Sequence, residues 1–441
     1  MDYNQALDLT VRLSDCLPPN HLASFVVDNV AQLDLSTLYA HDGELYAPEM
    51  LLGLLLYGNA TGVFSSRKIE RTADEVVPFR YVAGNLHPDH DTLAAFRRTF
   101  VPELKDLFVQ VLLLAQGAGV LKLGTISLDG ARVHADASKR KAVSYKRLLE
   151  LETQLRAKVE ESFALGEQSE QPEVSDGLVV REEIARRQDC LVRQVEAKAV
   201  LEARAKEREA VEQMEYEAKL AQREERERTA GRHSGGRPPT PPITGPRDGD
   251  QYNVTDPQSR IMKSSTHADF EQDYNAQVAV DQKSLLIVGC ALSDHPNDCQ
   301  EAEPTLSTIP APIETPEAAA LDAGYFGPAT LASCAKRGIE PYIATGRDPH
   351  HPSWQQRFAP LPDPPSEHAS PQVKMAYKLK TALGKAIHGA RKCTVEQVIG
   401  TIKEVLGFRQ FSLRETMVAA LECCLVCLAF NLKRFHILSI V

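Results

Sequence analysis

Thr125-Ile126-Ser127-Leu128-Asp129-Gly130 is a short run of β-branched and apolar residues closed by an acid and a glycine, and it reads as the first strand of the chain. Everything before it reads as helix. Pro48 to Tyr57 is dense in leucine, Ser65-Ser66-Arg67-Lys68-Ile69-Glu70 opens a helix on hydroxyl residues, and Asp91-Thr92 precedes one long amphipathic stretch from Leu93 through Leu114. After the strand an insertion begins. Leu148, Leu151, Leu155 and Val159 fit one helical face, and a polar loop follows from Gly166 to Gly177. From Arg181 to Arg228 there is neither Gly nor Pro, with 12 basic and 13 acidic residues. Val211, Met214, Ala218 and Ala221 give this long helix a coiled-coil-like seam at heptad spacing. Gly231 to Asp250, with five glycines and five prolines in twenty residues, is a flexible return linker.

Strand signals resume at Asn275–Val280, Leu285–Leu292, Ala318–Asp322 and Tyr342–Ala344, with helical stretches at Asp298–Ser307 and Pro328–Arg337 between them. Arg347 to Pro371 is loop, and Lys392–Leu406 and Thr416–Phe435 read as two helices. The fold class is therefore α/β (α+β) behind an all-helical N-terminal domain. The expected division is a helical domain over 1–120, a sheet domain over 121–142 and 251–415, a helical insertion over 143–229, a linker over 230–250 and a C-terminal helix over 416–441.

Composition narrows the function classes. A chain of 441 residues with 43% hydrophobic and 25% charged residues is globular rather than disordered or collagen-like. The longest apolar runs, Met50–Tyr57 and Cys423–Phe430, fall short of the roughly 18 to 20 residues that span a bilayer. With no basic-then-apolar leader after Met1 and nine scattered cysteines without paired CxxC motifs and histidine partners, the expectation is a cytoplasmic protein without a membrane partner. Net charge is -10, yet Lys374 to Arg414 carries nine basic residues against Glu396 and Glu404. That local excess of cations suits a phosphate backbone.

Three acids stand out by position: Asp129 and Asp322 each end a strand, and Glu396 sits early on the basic helix, seven residues before Lys403. Carboxylates from separate elements can converge on hard cations roughly 4 Å apart and activate an attacking oxygen. An acid before glycine at a strand end is also an ordinary turn residue, and an acid among cations an ordinary surface ion pair. Asn275 and Gln277 alternate on one strand and could face the same cleft.

Further motifs carry a resemblance. Met50-Leu51-Leu52-Gly53-Leu54-Leu55-Leu56-Tyr57-Gly58, Pro88-Asp89-His90-Asp91-Thr92 with Phe96-Arg97, and Leu128-Asp129-Gly130 come first, followed by Thr255-Asp256-Pro257 and Tyr274-Asn275-Ala276-Gln277. Asp322-Ala323-Gly324-Tyr325, Leu406-Gly407-Phe408-Arg409 and Asn431-Leu432-Lys433-Arg434 complete the order. From about Pro48 to Arg434 the chain resembles a bacterial insertion-sequence transposase of the DDE class, close to the group numbered eleven-eighty-two. The resemblance implies a ribonuclease-H-like catalytic domain, with Asp129, Asp322 and Glu396 as catalytic carboxylates holding two magnesium or manganese ions. It differs from the family at His388, where a tyrosine is usual, and at Gln397 and Ile399, where proline and phenylalanine are usual.

The resulting expectation is a DNA transposase that recognises terminal inverted repeats, cleaves at the ends and transfers the strand to target DNA. Its partners would be double-stranded DNA and, as a homodimer or higher oligomer, further copies of itself, in the bacterial cytoplasm around the nucleoid. The DNA-contacting residues would be Arg67, Lys68 and Arg97 in the helical domain and Lys380, Lys385, His388, Arg391, Lys392, Lys403 and Arg409 in the basic segment. Trp354 lies in the loop between the second and third acids, where the resemblance implies an aromatic side chain that stacks on a flipped base, the alternative being simple loop anchoring. The alternative reading is a catalytically silent DNA-binding protein derived from a transposase. A plain coiled-coil scaffold leaves the three acids unexplained.

Overall fold

The computed structural model describes residues 12–40, 46–99, 103–168, 176–230, 238–263, 269–346 and 361–440. The chain divides into two compact units, one of residues 1–136, 262–269 and 273–441, the other of residues 137–261 and 270–272.

In the first unit the leucine-rich helix α2 (Pro48–Thr61) follows α1 (Leu22–Val30) and is buried on all sides, with Leu51, Leu52, Leu54, Leu55 and Leu56 each at most 3% exposed. It starts on a proline, whose missing N–H costs nothing at a helix start, and stops at Gly62 in the left-handed region (φ 83°). A side chain at Gly62 would also meet the Leu406 carbonyl at 2.6 Å, so glycine is required twice over. Three more helices follow, α3 (Ser66–Glu75), α4 (Val77–Val82) and α5 (His90–Thr99), before α6 (Leu104–Gly117). The stretch expected as one amphipathic run from Leu93 to Leu114 is thus divided between α5 and α6.

The core of this unit is the last helix, α14 (Thr416–Ser439), which packs on α2, on α6 and on strand β6 (Ile287–Ser293). By length and composition it could cross a membrane, which corrects the expectation that no apolar segment is long enough; 72% of its most apolar window is buried inside the protein. The contiguous run is broken in sequence by Glu422 and Asn431, and both are satisfied internally. Glu422 accepts from the Ser412 and Leu413 backbone amides at 3.0 Å each, while Asn431 brackets Ile287 of β6, accepting from its N–H at 2.8 Å and donating to its carbonyl at 2.7 Å.

The sheet runs β4 (Arg260–Lys263), β5 (Phe270–Asp281), β1 (Thr125–His134), β7 (Ala318–Leu321), β8 (Glu340–Ile343), with β6 also paired to β5. β5 is antiparallel to β1 and β6, whereas β7 and β8 are parallel to β1. β7 reads Ala-Ala-Ala-Leu and is buried throughout, as a central parallel strand covered on both faces must be. After β6 comes the short helix α9 (Ala302–Ser307), and α10 (Pro328–Arg337) makes the β7–β8 crossover and ends at Gly338 in the left-handed region. The result is a helical N-terminal region followed by a mixed α/β core of ribonuclease-H-like type.

The second unit pairs β2 (Ala142–Ser144) with β3 (Gln251–Asn253) and carries a hairpin of α7 (Tyr145–Gln168) and α8 (Asp176–Ala230). The seam expected from heptad spacing is not the face that packs within the hairpin. Val211 and Met214 are 45% and 72% exposed, Ala221 is exposed, and the Ala218 side chain lies outside those described. The packed face instead uses Leu148 of α7 and Ala197, Leu201 and Ala205 of α8, each at most 3% exposed. Ala197, Leu201 and Ala205 are four apart and so lie on one face of α8.

Candidate active site

Backbone register brings the first two acids together. β1 and β7 run parallel with Thr125 level with Ala318 and Ser127 with Ala320. Continued by two residues, that register sets Asp129 beside Asp322, the first residue past β7. Ser127 and Asp129, two apart on a strand, share one face. The buried Ser127 hydroxyl lies 2.9 Å from the Thr394 hydroxyl, which docks the start of α13 (Val395–Gly400) on that face and delivers Glu396 from its first turn.

The helix expected over Lys392–Leu406 is broken at this point. Thr394 is non-helical (φ -118°, ψ -90°) and its hydroxyl bonds the Ala390 carbonyl at 2.8 Å. A tight turn at Arg391–Cys393, α13 and a widened turn at Thr401–Val405 take the helix's place. A threonine hydroxyl competing for a backbone carbonyl is a common cause of such breaks. Upstream lie α11 (Pro371–Lys380) and α12 (Ala382–Ala390), two helices absent from the sequence reading.

The three carboxylates meet on one guanidinium. Arg391 Nη1 donates to Asp129 Oδ2 at 2.7 Å, Nη2 lies 3.0 Å from Glu396 Oε1, and the same Nη2 is 3.7 Å from Asp322 Oδ1. The Arg391 side chain is 11% exposed, and its Nε is buried without a hydrogen-bond partner. Asp129 Oδ1 also accepts from the Gly130 amide at 2.9 Å. Burial raises the Asp129 pKa, Arg391 and the Gly130 amide pull it down, and Asp322 and Glu396 push it up again, leaving it at about 6.

This arrangement does not fit the pair of magnesium or manganese ions expected from the resemblance. Among the described residues no group of three or more His, Cys, Asp or Glu side chains could hold a metal ion. The acids approach Arg391, whose positive charge fills the space between them.

The other expected DNA contacts are distributed unevenly. Lys380 on α11, Lys385 on α12 and Lys392 are exposed, as are Arg67 and Lys68 on α3. His388 donates from Nε2 to the Leu321 carbonyl at 3.2 Å, bracing the residue before Asp322. Lys403 donates to the Arg132 carbonyl on β1 at 2.9 Å, and burial lowers its pKa. Arg409 pairs with Glu404, and Arg97 is half-buried with its Nε enclosed. Trp354 falls outside the described residues.

One acid escaped the sequence reading. Asn275 and Gln277 of β5 both donate to Asp298 Oδ1, at 2.9 and 2.7 Å, and Tyr325 donates to Gln277 Oε1. Asp298 also sits against the two glycines that follow the strand acids. A side chain at Gly130 would come within 2.7 Å of Asp298 Oδ1, and one at Gly324 within 3.5 Å of Asp298 Oδ2. Two strand amides at alternate positions were the available signal: buried amide donors require an acceptor.

Residues 242–432 match the family model for a transposase DDE domain, and residues 11–99 match that for a transposase domain (DUF772). The first match takes in Asp322, Arg391 and Glu396, and Asp129 precedes it. Neither the curated proteins nor the solved structures contain a match to the chain.

Proposed function

We propose that this chain, which carries a bacterial transposase DDE domain behind an N-terminal transposase domain, is a DNA transposase that binds the ends of its insertion sequence, cuts there and joins the freed end to target DNA. What carries the reading is the convergence of Asp129, Asp322 and Glu396, from strand, strand and helix, on Arg391. Cleavage and joining are both in-line displacements at phosphorus, which need a proton acceptor and charge stabilisation. Asp129, with its pKa near 6, is largely ionised at neutral pH and able to take a proton from an attacking hydroxyl. Arg391 supplies positive charge to phosphate oxygens, and the exposed Lys380, Lys385, Lys392, Arg67 and Lys68 supply backbone contacts.

We further read the working form as at least a dimer on DNA in the bacterial cytoplasm, because joining two ends takes two active sites. The eleven-eighty-two grouping rests on the motifs of the sequence. A second reading, a catalytically silent DNA-binding protein of transposase descent, is favoured by one observation: a guanidinium stands between the acids. Cleavage and gel-shift assays on an end-containing duplex separate the two. Strand cleavage by the wild-type protein supports the transposase, and tight end binding without cleavage supports the silent binder.

A further inference from the structure

Three carboxylates face one cation, so the pocket carries an excess of negative charge and should repel a phosphodiester. The cation seated among them, Arg391, is already engaged: both its Nη atoms lie toward carboxylates, at 2.7, 3.0 and 3.7 Å. A guanidinium bonds carboxylate and phosphate through the same planar pairs of N–H donors. Arg391 cannot satisfy both sets at full strength, and its enclosed Nε shows that the acids already leave one donor unused.

We propose that Arg391 is an exchangeable latch: in the DNA-free protein it closes the site by holding Asp129, Glu396 and Asp322, and a DNA phosphodiester opens the site by taking the guanidinium from them. This rests on the DNA-binding reading above and deepens it. The backbone around the latch suits a side chain that changes partners. Arg391 opens the short turn between α12 and α13, next to the non-helical Thr394, so its main chain is not locked within a long helix. It is a positioning residue for the acids in one state and a phosphate ligand in the other. Below the latch, Thr394 stays pinned to Ser127, so the carboxylates keep their places as the guanidinium moves.

The test is a double-mutant cycle on the full chain, with wild type, Arg391→Met, Asp129→Asn with Glu396→Gln, and the combined variant. The probe is a duplex of about 20 base pairs at fixed salt. Neutralising the two acids frees the guanidinium, so affinity should rise about tenfold with Arg391 present and by no more than about twofold in the Arg391→Met background. An equal gain in both backgrounds, the signature of general charge relief, overturns the latch. If wild type binds no duplex at any salt, the DNA-binding reading fails. The latch is then judged on the DNA-free melting temperatures of the same four proteins. Strong coupling between Arg391 and the acids upholds the closed state, and additive shifts overturn it.

Discussion

Asp129→Asn should change how stability depends on pH, in a direction opposite to that of most buried ion pairs. Asp129 has a side chain only 19% exposed and a pKa raised from 3.8 to about 6 despite the bond to Arg391. A raised carboxylate pKa means that the folded protein holds the proton more tightly than the unfolded chain does. Stability from this group is therefore fully present below about pH 4, falls as pH rises through about 6, and is level above that. At about 1.4 kcal/mol per pKa unit the full loss is of order 3 kcal/mol. Asparagine cannot ionise, so the variant lacks this loss. Urea unfolding of both proteins from about pH 4 to about pH 7.5 isolates the difference, because groups that titrate alike in both cancel. The variant should gain on wild type by about 2 to 3 kcal/mol across that range. Parallel profiles would refute the reasoning, and a variant that loses ground with rising pH would mean that Arg391 outweighs burial at this site.

Two structural predictions follow from the same packing. Asn431→Ala removes the side chain that brackets both backbone groups of Ile287 in a fully buried position; unfolding should show a loss of about 2 to 4 kcal/mol, and a loss under about 1 kcal/mol would mean that water replaces the amide. In the hairpin, Leu201→Glu should lower the melting temperature clearly whereas Val211→Glu with Met214→Glu should leave it nearly unchanged, since Leu201 is 2% exposed and Val211 and Met214 are 45% and 72% exposed. The reverse order would restore the seam expected from heptad spacing.

Much of the frame was legible in the chain because it rests on local periodicity. The start of β1 at Thr125, the helix α10 and the long uninterrupted α8 follow directly from residue pattern and breaker placement, but β1 runs five residues past Asp129 to His134 instead of ending at the acid, because Gly130 to His134 stay paired with β5. The acids were legible as candidates, although only Asp322 follows a strand end and Glu396 a helix start, while Asp129 sits in the middle of β1. Their actual partner was not. Arg391 lies 262 residues from Asp129 in sequence, and a basic residue in a basic segment gives no sign that it points inward. Asp298 was missed for the same reason, since its role depends on the amides of Asn275 and Gln277 on another element. The face that packs within the hairpin was missed for another reason: α8 has apolar residues on more than one face, and its contact with α7 is not encoded in local spacing. The break at Thr394 came from a side-chain hydroxyl bonding to backbone, a competition that helical spacing does not register.

The most direct measurement is single-turnover strand cleavage of a duplex carrying the element's end, run beside a gel shift, for wild type, Asp129→Asn, Asp322→Asn and Glu396→Gln. Wild type should cut. Each substitution should reduce cleavage by about a hundredfold or more while end binding holds or tightens. Near wild-type cleavage by any one variant contradicts the assignment of that acid, and cleavage by all three contradicts the account of the site.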